Sequence, residues 1–167
     1  VIRRAAGLGM PPDEPDPDLY ERATAYCDLL VIGGGAAGLA AARAAGRAGA
    51  RVILAETDFL LGGRLLVDGG EIDGQPARDW VRRTEAELAA MPEVTILRRT
   101  VVFGAYDTGT FGALERVNDH VLVPPAHEPR QRYWKIVARR AVLASGAVER
   151  PVVFGGNDQP GVMMASA

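Results

Sequence analysis

Three glycines and one carboxylate stand at a spacing that has a chemical meaning. Gly33, Gly35 and Gly38 read G-x-G-x-x-G, directly after the apolar run Leu29-Leu30-Val31-Ile32, and Glu56 closes a second apolar run, Val52-Ile53-Leu54. A glycine at position 33 permits a tight turn out of a strand. One at 35 lets main chain approach a pyrophosphate, and one at 38 lets the following helix lie close to its sheet. The free N–H groups opening that helix, at Ala36, Ala37 and Gly38, would then present the positive end of the helix dipole to a diphosphate. A carboxylate at Glu56, at the end of the second strand, is placed to accept hydrogen bonds from an adenosine ribose. A lone glycine motif is weak evidence. The strand before it, the helix after it and the acidic strand end are the confirming context.

Two further stretches point at the same ligand. Gly62-Gly63-Arg64 follows the acidic strand end closely, which suggests a loop passing near a bound cofactor. Ser145-Gly146 ends the apolar run Ala141–Ala144 with small residues, as backbone approaching a ligand at a topological switch point requires. Other residues with chemical potential read as structural. Cys27 stands alone and reads as a small packed thiol. His120 and His127 lack a Cys/His cluster and read as turn residues, so no metal ligand is assigned. Asp68 to Gly74 lacks the ligand order of a calcium loop and reads as a solvated turn. No nucleophile, base and orienting group stand together, so no catalytic residue is named.

The chain of 167 residues carries a formal net charge of −2, which gives no reason to expect a nucleic-acid or membrane-surface partner. Its one cysteine fits a reducing compartment, and no apolar run approaches the length that spans a bilayer, so a cytoplasmic location is expected.

Residues 1–27, with Pro11-Pro12 and Pro15-Asp16-Pro17, read as a proline-rich linker from an absent upstream domain. Residues 28–167 read as one dinucleotide-binding domain truncated at its C-terminal end. A helix is expected from about Ala36 to Ala48, burying Ala37, Ala40, Ala41, Ala44 and Ala48, with Arg43 and Arg47 on its outer face and Gly49 ending it. A second helix, about Ala77–Ala90, should bury Trp80, Val81, Thr84, Leu88 and Met91 and carry an outer Arg83–Glu87 pair. Val94–Leu97 reads as the third parallel strand. Val101–Phe103, Val121–Val123 and Tyr133–Val137 suggest a small antiparallel meander beside the main sheet, after which Ala141–Ala144 returns as a buried strand. Met163-Met164 is expected in the core. The fold class is therefore α/β: a Rossmann-like FAD/NAD(P)-binding domain with a parallel sheet, helices on one side and a small antiparallel β-meander.

This order resembles the dinucleotide domain of the flavoprotein disulfide-reductase and amine-oxidase lineage, with ASGAVERPVVF similar to its A-T-G motif and Ser145 replacing the usual threonine. Within that lineage, FGAYDTGTFGALERVNDH, PRQRYWKIVARRAVLASGAVERPVVF and NDQPGVM resemble the α subunit of heterotetrameric sarcosine oxidase. The resemblance implies a noncovalent NAD in this domain, with FAD at the same site as the alternative. The reactive FAD and a covalent FMN would belong to the β subunit and the subunit interface. It further implies β, γ and δ subunits as partners, and oxidation of sarcosine with oxygen and tetrahydrofolate. Gly33, Gly35 and Gly38 match the pyrophosphate turn, Glu56 the ribose ligand, and Gly62, Gly63 and Arg64 the cofactor loop. Val102 matches a backbone contact to adenine and Gly146 the second strand-end contact. The isolated segment is expected to be inactive. Competing resemblances are to opine oxidase and hydrogen-cyanide synthase subunits, to thioredoxin-reductase-like flavoproteins, and to a non-catalytic dinucleotide module.

Overall fold

The computed structural model describes residues 13–150 and 152–164. The first twelve residues of the expected linker, with Pro11 and Pro12, lie outside them. One six-stranded sheet carries the molecule, in the order β5-β2-β1-β8-β7-β6. Its members are β1 (Tyr20–Ile32), β2 (Val52–Ala55), β5 (Val94–Leu97), β6 (Thr100–Tyr106), β7 (Thr110–Arg116) and β8 (Gln131–Leu143). Strands β5, β2, β1 and β8 run parallel, and β7 and β6 complete the sheet antiparallel. The helices α1 (Ala36–Arg47) and α2 (Ala77–Ala89) are the crossovers between the parallel strands. Between β2 and α2 a two-stranded hairpin, β3 (Glu71–Ile72) and β4 (Gln75–Pro76), turns at Asp73 and Gly74, both at positive φ. That is the Asp-Gly turn the hairpin twist prefers.

Both helices bury against one face of the sheet. Val31, Val52 and Leu54 meet Leu39 and Ala42 of α1 and Trp80, Val81 and Leu88 of α2 in one cluster. The face of α2 is the expected one: Ala77, Trp80, Val81, Thr84 and Leu88 are buried, and Met91 packs at its end. The face of α1 differs from the expectation. Gly38, Leu39 and Ala42 are buried, whereas Ala37, Ala40, Ala44 and Ala48 are exposed. A helix built almost wholly of alanine has little periodic signal of its own, and close contact at Gly38 sets its rotation. Gly46 falls on the same side, where an added Cβ would lie 2.6 Å from Met91 Sδ, so its low helix propensity is offset by the room it leaves. The expected Arg83–Glu87 pair is replaced by a link between helices. Glu87 accepts from Arg43 Nε at 2.9 Å and from Arg47, while Arg83 donates to Gln75.

The opposite face is covered by the sheet itself. Leu30, Ile53 and Leu97 from the parallel strands cluster with Cys27, Ala113, Ile136 and Ala138. Several expectations are corrected in this half. β1 begins at Tyr20, so Tyr20–Cys27, read as the end of the linker, is the first half of a 13-residue strand. Tyr133–Val137 and Ala141–Leu143 are one strand, because Tyr20 to Ile32 of β1 pairs with Gln131 to Leu143 along its length. The middle strand of the meander is Thr110–Arg116, not Val121–Val123. Gly109 and Gly112 disguise β7 as a loop, while Leu122 and Val123 are exposed and run into Pro124-Pro125, which have no N–H to give a ladder. The meander continues the main sheet edge to edge, beside its parallel strands as expected. Finally, Ala141 and Leu143 are exposed, not buried, since β7 pairs with β8 only as far as Val137, and beyond it β1 is the sole neighbour among the described residues. Met163 and Met164 lie exposed on the extended exit segment, with no core to enter among the described residues.

The long β1 changes face partway. The N–H groups of both Asp28 and Leu29 donate to Arg51 O, at 2.9 and 3.1 Å, a bulge that shifts the alternation. Cys27 therefore points to the back face together with Leu30, and Val31 points to the helices. Asp28 is held by Arg51 through its side chain and main chain and lies 3.7 Å from Arg139 of β8. These contacts pull its carboxyl down to about 2, the Arg51 hydrogen bonds being the main cause.

Candidate functional site

The turn at the end of β1 is built by contacts in which each glycine has a different role. Gly33, at φ 106, donates to Ala55 O at 2.8 Å, and Ala144 N–H donates to Ile32 O at 2.8 Å. The ends of β2 and β8 are thereby tied to the turn from both sides. A Cβ on Gly33 would stand 2.4 Å from Ala144 O, and one on Gly38 would stand 1.8 Å from Gly33 O. Those two positions are closed by the protein's own backbone. The helix thus crosses the turn at Gly38, a nearer contact than the sheet packing the spacing implies. Gly35 is the opposite case: nothing lies within 4 Å of where its Cβ would be. Its φ of −73° is open to any residue, so glycine there leaves space and does not relieve strain.

That space opens into a cleft of about 410 Å³ lined by Gly35, Ala36 and Ala37, Glu56, Gly62 to Leu65, and Ala144 to Ala147. Most of the residues singled out from sequence meet here: Gly35, Ala36, Ala37, Glu56, Gly62, Gly63, Arg64, Ser145 and Gly146. Gly33 and Gly38 support the floor. Val102 does not line the cleft; it lies on β6 and packs against the back-face cluster. Leu65, Ala144 and Ala147 also line the cleft, and no spacing rule marks them, although each adjoins a residue that was marked. A smaller hollow of about 230 Å³ lies on the back face, lined by residues including Cys27, Ile53, Leu97 and Trp134. Burial raises the Cys27 thiol to about 11, which removes it as a nucleophile near neutrality.

Chemically the cleft has a donor end and an acceptor end. α1 starts without a side-chain cap and without an acidic residue in its first turn, so its opening N–H groups keep their capacity for an anion. At the acceptor end, Glu56 Oε2 takes a hydrogen bond from Gly34 N–H at 2.6 Å and Oε1 one from Asp58 N–H at 2.9 Å. The carboxylate is thus fixed at the cleft wall and also braces the glycine turn. The second glycine pair closes against the first: Gly62 N–H donates to Gly34 O at 2.8 Å, and a Cβ on Gly63 would approach Gly35 Cα at 3.4 Å. Arg64 makes a two-pronged pair with Asp68, at 2.8 and 2.7 Å, and carries its charge at the rim. His120 and His127 lie on the exposed loop between β7 and β8, away from the cleft.

A small-residue turn, an uncapped helix start and a fixed carboxylate fit a dinucleotide. Comparison with known proteins agrees with that chemistry. Along all of its residues the chain is 60% identical to the sarcosine oxidase subunit alpha of Rhizobium meliloti (strain 1021), and it spans 17% of that protein. Over 96% of the chain it is 48% identical to the sarcosine oxidase subunit alpha of Corynebacterium sp. (strain P-1), again spanning 17% of it. The chain therefore corresponds to about one-sixth of the length of these relatives. Among solved structures, L-proline dehydrogenase from P. horikoshii matches 89% of the chain with a TM-score of 0.61 at 26% identity, over 28% of its own length. The family model for FAD dependent oxidoreductases matches residues 28–118, more than half of the chain, from the strand before the glycine turn to the end of β7. By that match the chain belongs to the FAD-dependent oxidoreductase family.

Proposed function

We propose that this chain is the dinucleotide-binding part of a sarcosine oxidase alpha subunit and that its cleft holds NAD. The observation that carries the binding site is the pairing of an open Gly35 with a fixed Glu56 across one cleft. The first gives main-chain N–H groups access to a diphosphate, and the second offers acceptors to vicinal ribose hydroxyls. Identity of 60% along the whole chain supports the enzyme class. A bound dinucleotide supplies the redox-active ring, while the residues of this chain bind and orient it. Gly35 leaves room for the diphosphate, the start of α1 offsets its charge, and Glu56 positions the ribose. Ser145 and Gly146 let backbone at the end of β8 approach from the other side.

FAD is the competing occupant, because the matching family model describes FAD-dependent enzymes. The same turn and carboxylate suit the adenosine half of either molecule. In the reading we favour, the reactive FAD and the covalent FMN lie on the β subunit and at the subunit interface. The α, β, γ and δ subunits then act together on sarcosine, oxygen and tetrahydrofolate in the cytoplasm. Denaturing the purified protein and identifying the released small molecule by mass spectrometry tests the assignment. NAD is expected, FAD would shift the site to the flavin reading, and a protein that releases and takes up no dinucleotide would overturn both.

A further inference from the structure

The outer face of the meander carries a surface that nothing in the cofactor site uses. Alternation along the paired strands brings Val101 and Phe103 of β6, Leu114 of β7 and Tyr133 of β8 to one side, with Tyr106 at the end of β6. The Phe103 and Tyr133 rings meet at 6.0 Å. Phe103 and Tyr106 lie over Gly112, where an added Cβ would come within 2.9 Å of the Phe103 ring. Covering a glycine is a structural use for an aromatic ring, yet Phe103 remains 52% and Tyr106 57% exposed. A cluster of half-exposed aromatic side chains on a rigid sheet is the composition of an interface centre.

Two cations on the same face flank this cluster. Arg22 of β1 stands opposite Tyr133, and Lys135 of β8 stands opposite Thr24, both exposed and on the same face. Neither makes an ion pair among the described residues. The neighbouring carboxylates Glu21 and Glu115 are turned to Arg132 and Trp134 instead. We propose that this face docks a second polypeptide of the assembly, one whose contact surface has an apolar centre flanked by carboxylates. Aromatic rings would provide the buried centre and the two cations the orientation, since charge complementarity mainly selects the partner and its register. The proposal rests on the multi-subunit reading above, but not on which dinucleotide fills the cleft.

Lys135 is the only lysine in this sequence, so within these residues an amine-directed cross-link reports on this face alone. The assembled oxidase would be treated with a zero-length carbodiimide cross-linker, and peptides containing Lys135 identified by mass spectrometry. The expected product joins Lys135 to an Asp or Glu of a different polypeptide. In parallel, the double variant Arg22→Glu, Lys135→Glu should weaken subunit association about tenfold or more while its near-ultraviolet circular dichroism stays that of the parent. A cross-link within the same polypeptide or between two copies of it would overturn the proposal. So would a Lys135 that takes up an amine reagent as fast in the assembly as in the separated subunit. An oxidase that purifies as a single polypeptide would instead overturn the multi-subunit reading, and the docking proposal with it.

Discussion

Where the helices cover the parallel strands, and on the back face, the sheet is well buried, but the two faces draw their side chains from different distances along the chain. On the helical face, residues from Val31 to Leu88 meet in sequence order, each helix covering the strands beside it. On the back face, Cys27 and Leu30 meet Ala113, Ile136 and Ala138, brought together by pairing between β1 and a β8 about a hundred residues away. The first face depends on local pattern, and the second on a long-range register. The glycine turn is where the two constructions join, because the end of β8 caps it while α1 leaves from it.

The sharpest way to break this junction is Gly38→Ala. Its methyl group would sit 1.8 Å from Gly33 O, a backbone atom that cannot swing aside. Destabilisation of about 3 kcal/mol or more is expected, with loss of dinucleotide binding as a consequence of the displaced helix. Chemical denaturation checks it, and a variant as stable as the parent would mean that α1 crosses the turn elsewhere. A matched pair of truncations then asks whether the two faces are one cooperative unit. Leu88 and Ile136 are both fully buried, one on each face. Leu88→Ala and Ile136→Ala should each cost about 2–5 kcal/mol and move the same single transition. A separate early transition in Ile136→Ala alone would make the meander an independent appendage.

What could be read from sequence divides along the same line. The Gly33–Gly38 turn, Glu56, the Gly62-Gly63 loop and the buried stripe of α2 are all local patterns, and each stands where the spacing implied. The expected rotation of α1 fails because alanine carries little packing signal, whereas the close approach at Gly38 implies a face through Leu39 and Ala42. The meander departs from its expected strands for a different reason. Strand pairing is decided by a partner far along the chain, so Val121-Leu122-Val123 had the composition of a strand but no ladder to join. Thr110–Arg116 had glycines but a place between β6 and β8. Val102, carried over from a resemblance and from no local pattern, lies on the expected strand and outside the cleft wall.

A smaller effect is expected at the β1 bulge, where the alternation changes face. Asp28 is held low, at about 2, by Arg51. A carboxylate depressed in the folded state contributes stability above its unfolded pKa of about 4 and loses that contribution as pH falls towards about 2. Asp28→Asn should therefore be less stable than the parent near neutral pH. The gap should close between about pH 4 and about pH 2, as read from denaturant midpoints across that range. A gap that is constant with pH would assign the effect to geometry at the bulge and not to charge.

On the proposed reading, Gly35 is glycine to make room for a ligand, unlike Gly33 and Gly38, which are glycine to make room for the protein. Calorimetric titration of the parent and of Gly35→Val with NAD and with NADP, alongside their thermal midpoints, tests this most directly. The parent should bind NAD in preference to NADP, because the fixed Glu56 carboxylate opposes a 2′-phosphate. Gly35→Val should keep the parent's thermal midpoint within a few degrees, its Cβ meeting nothing within 4 Å, and should lose NAD binding. Undiminished NAD binding by Gly35→Val, at a midpoint equal to the parent's, would contradict the placement of the diphosphate at this turn.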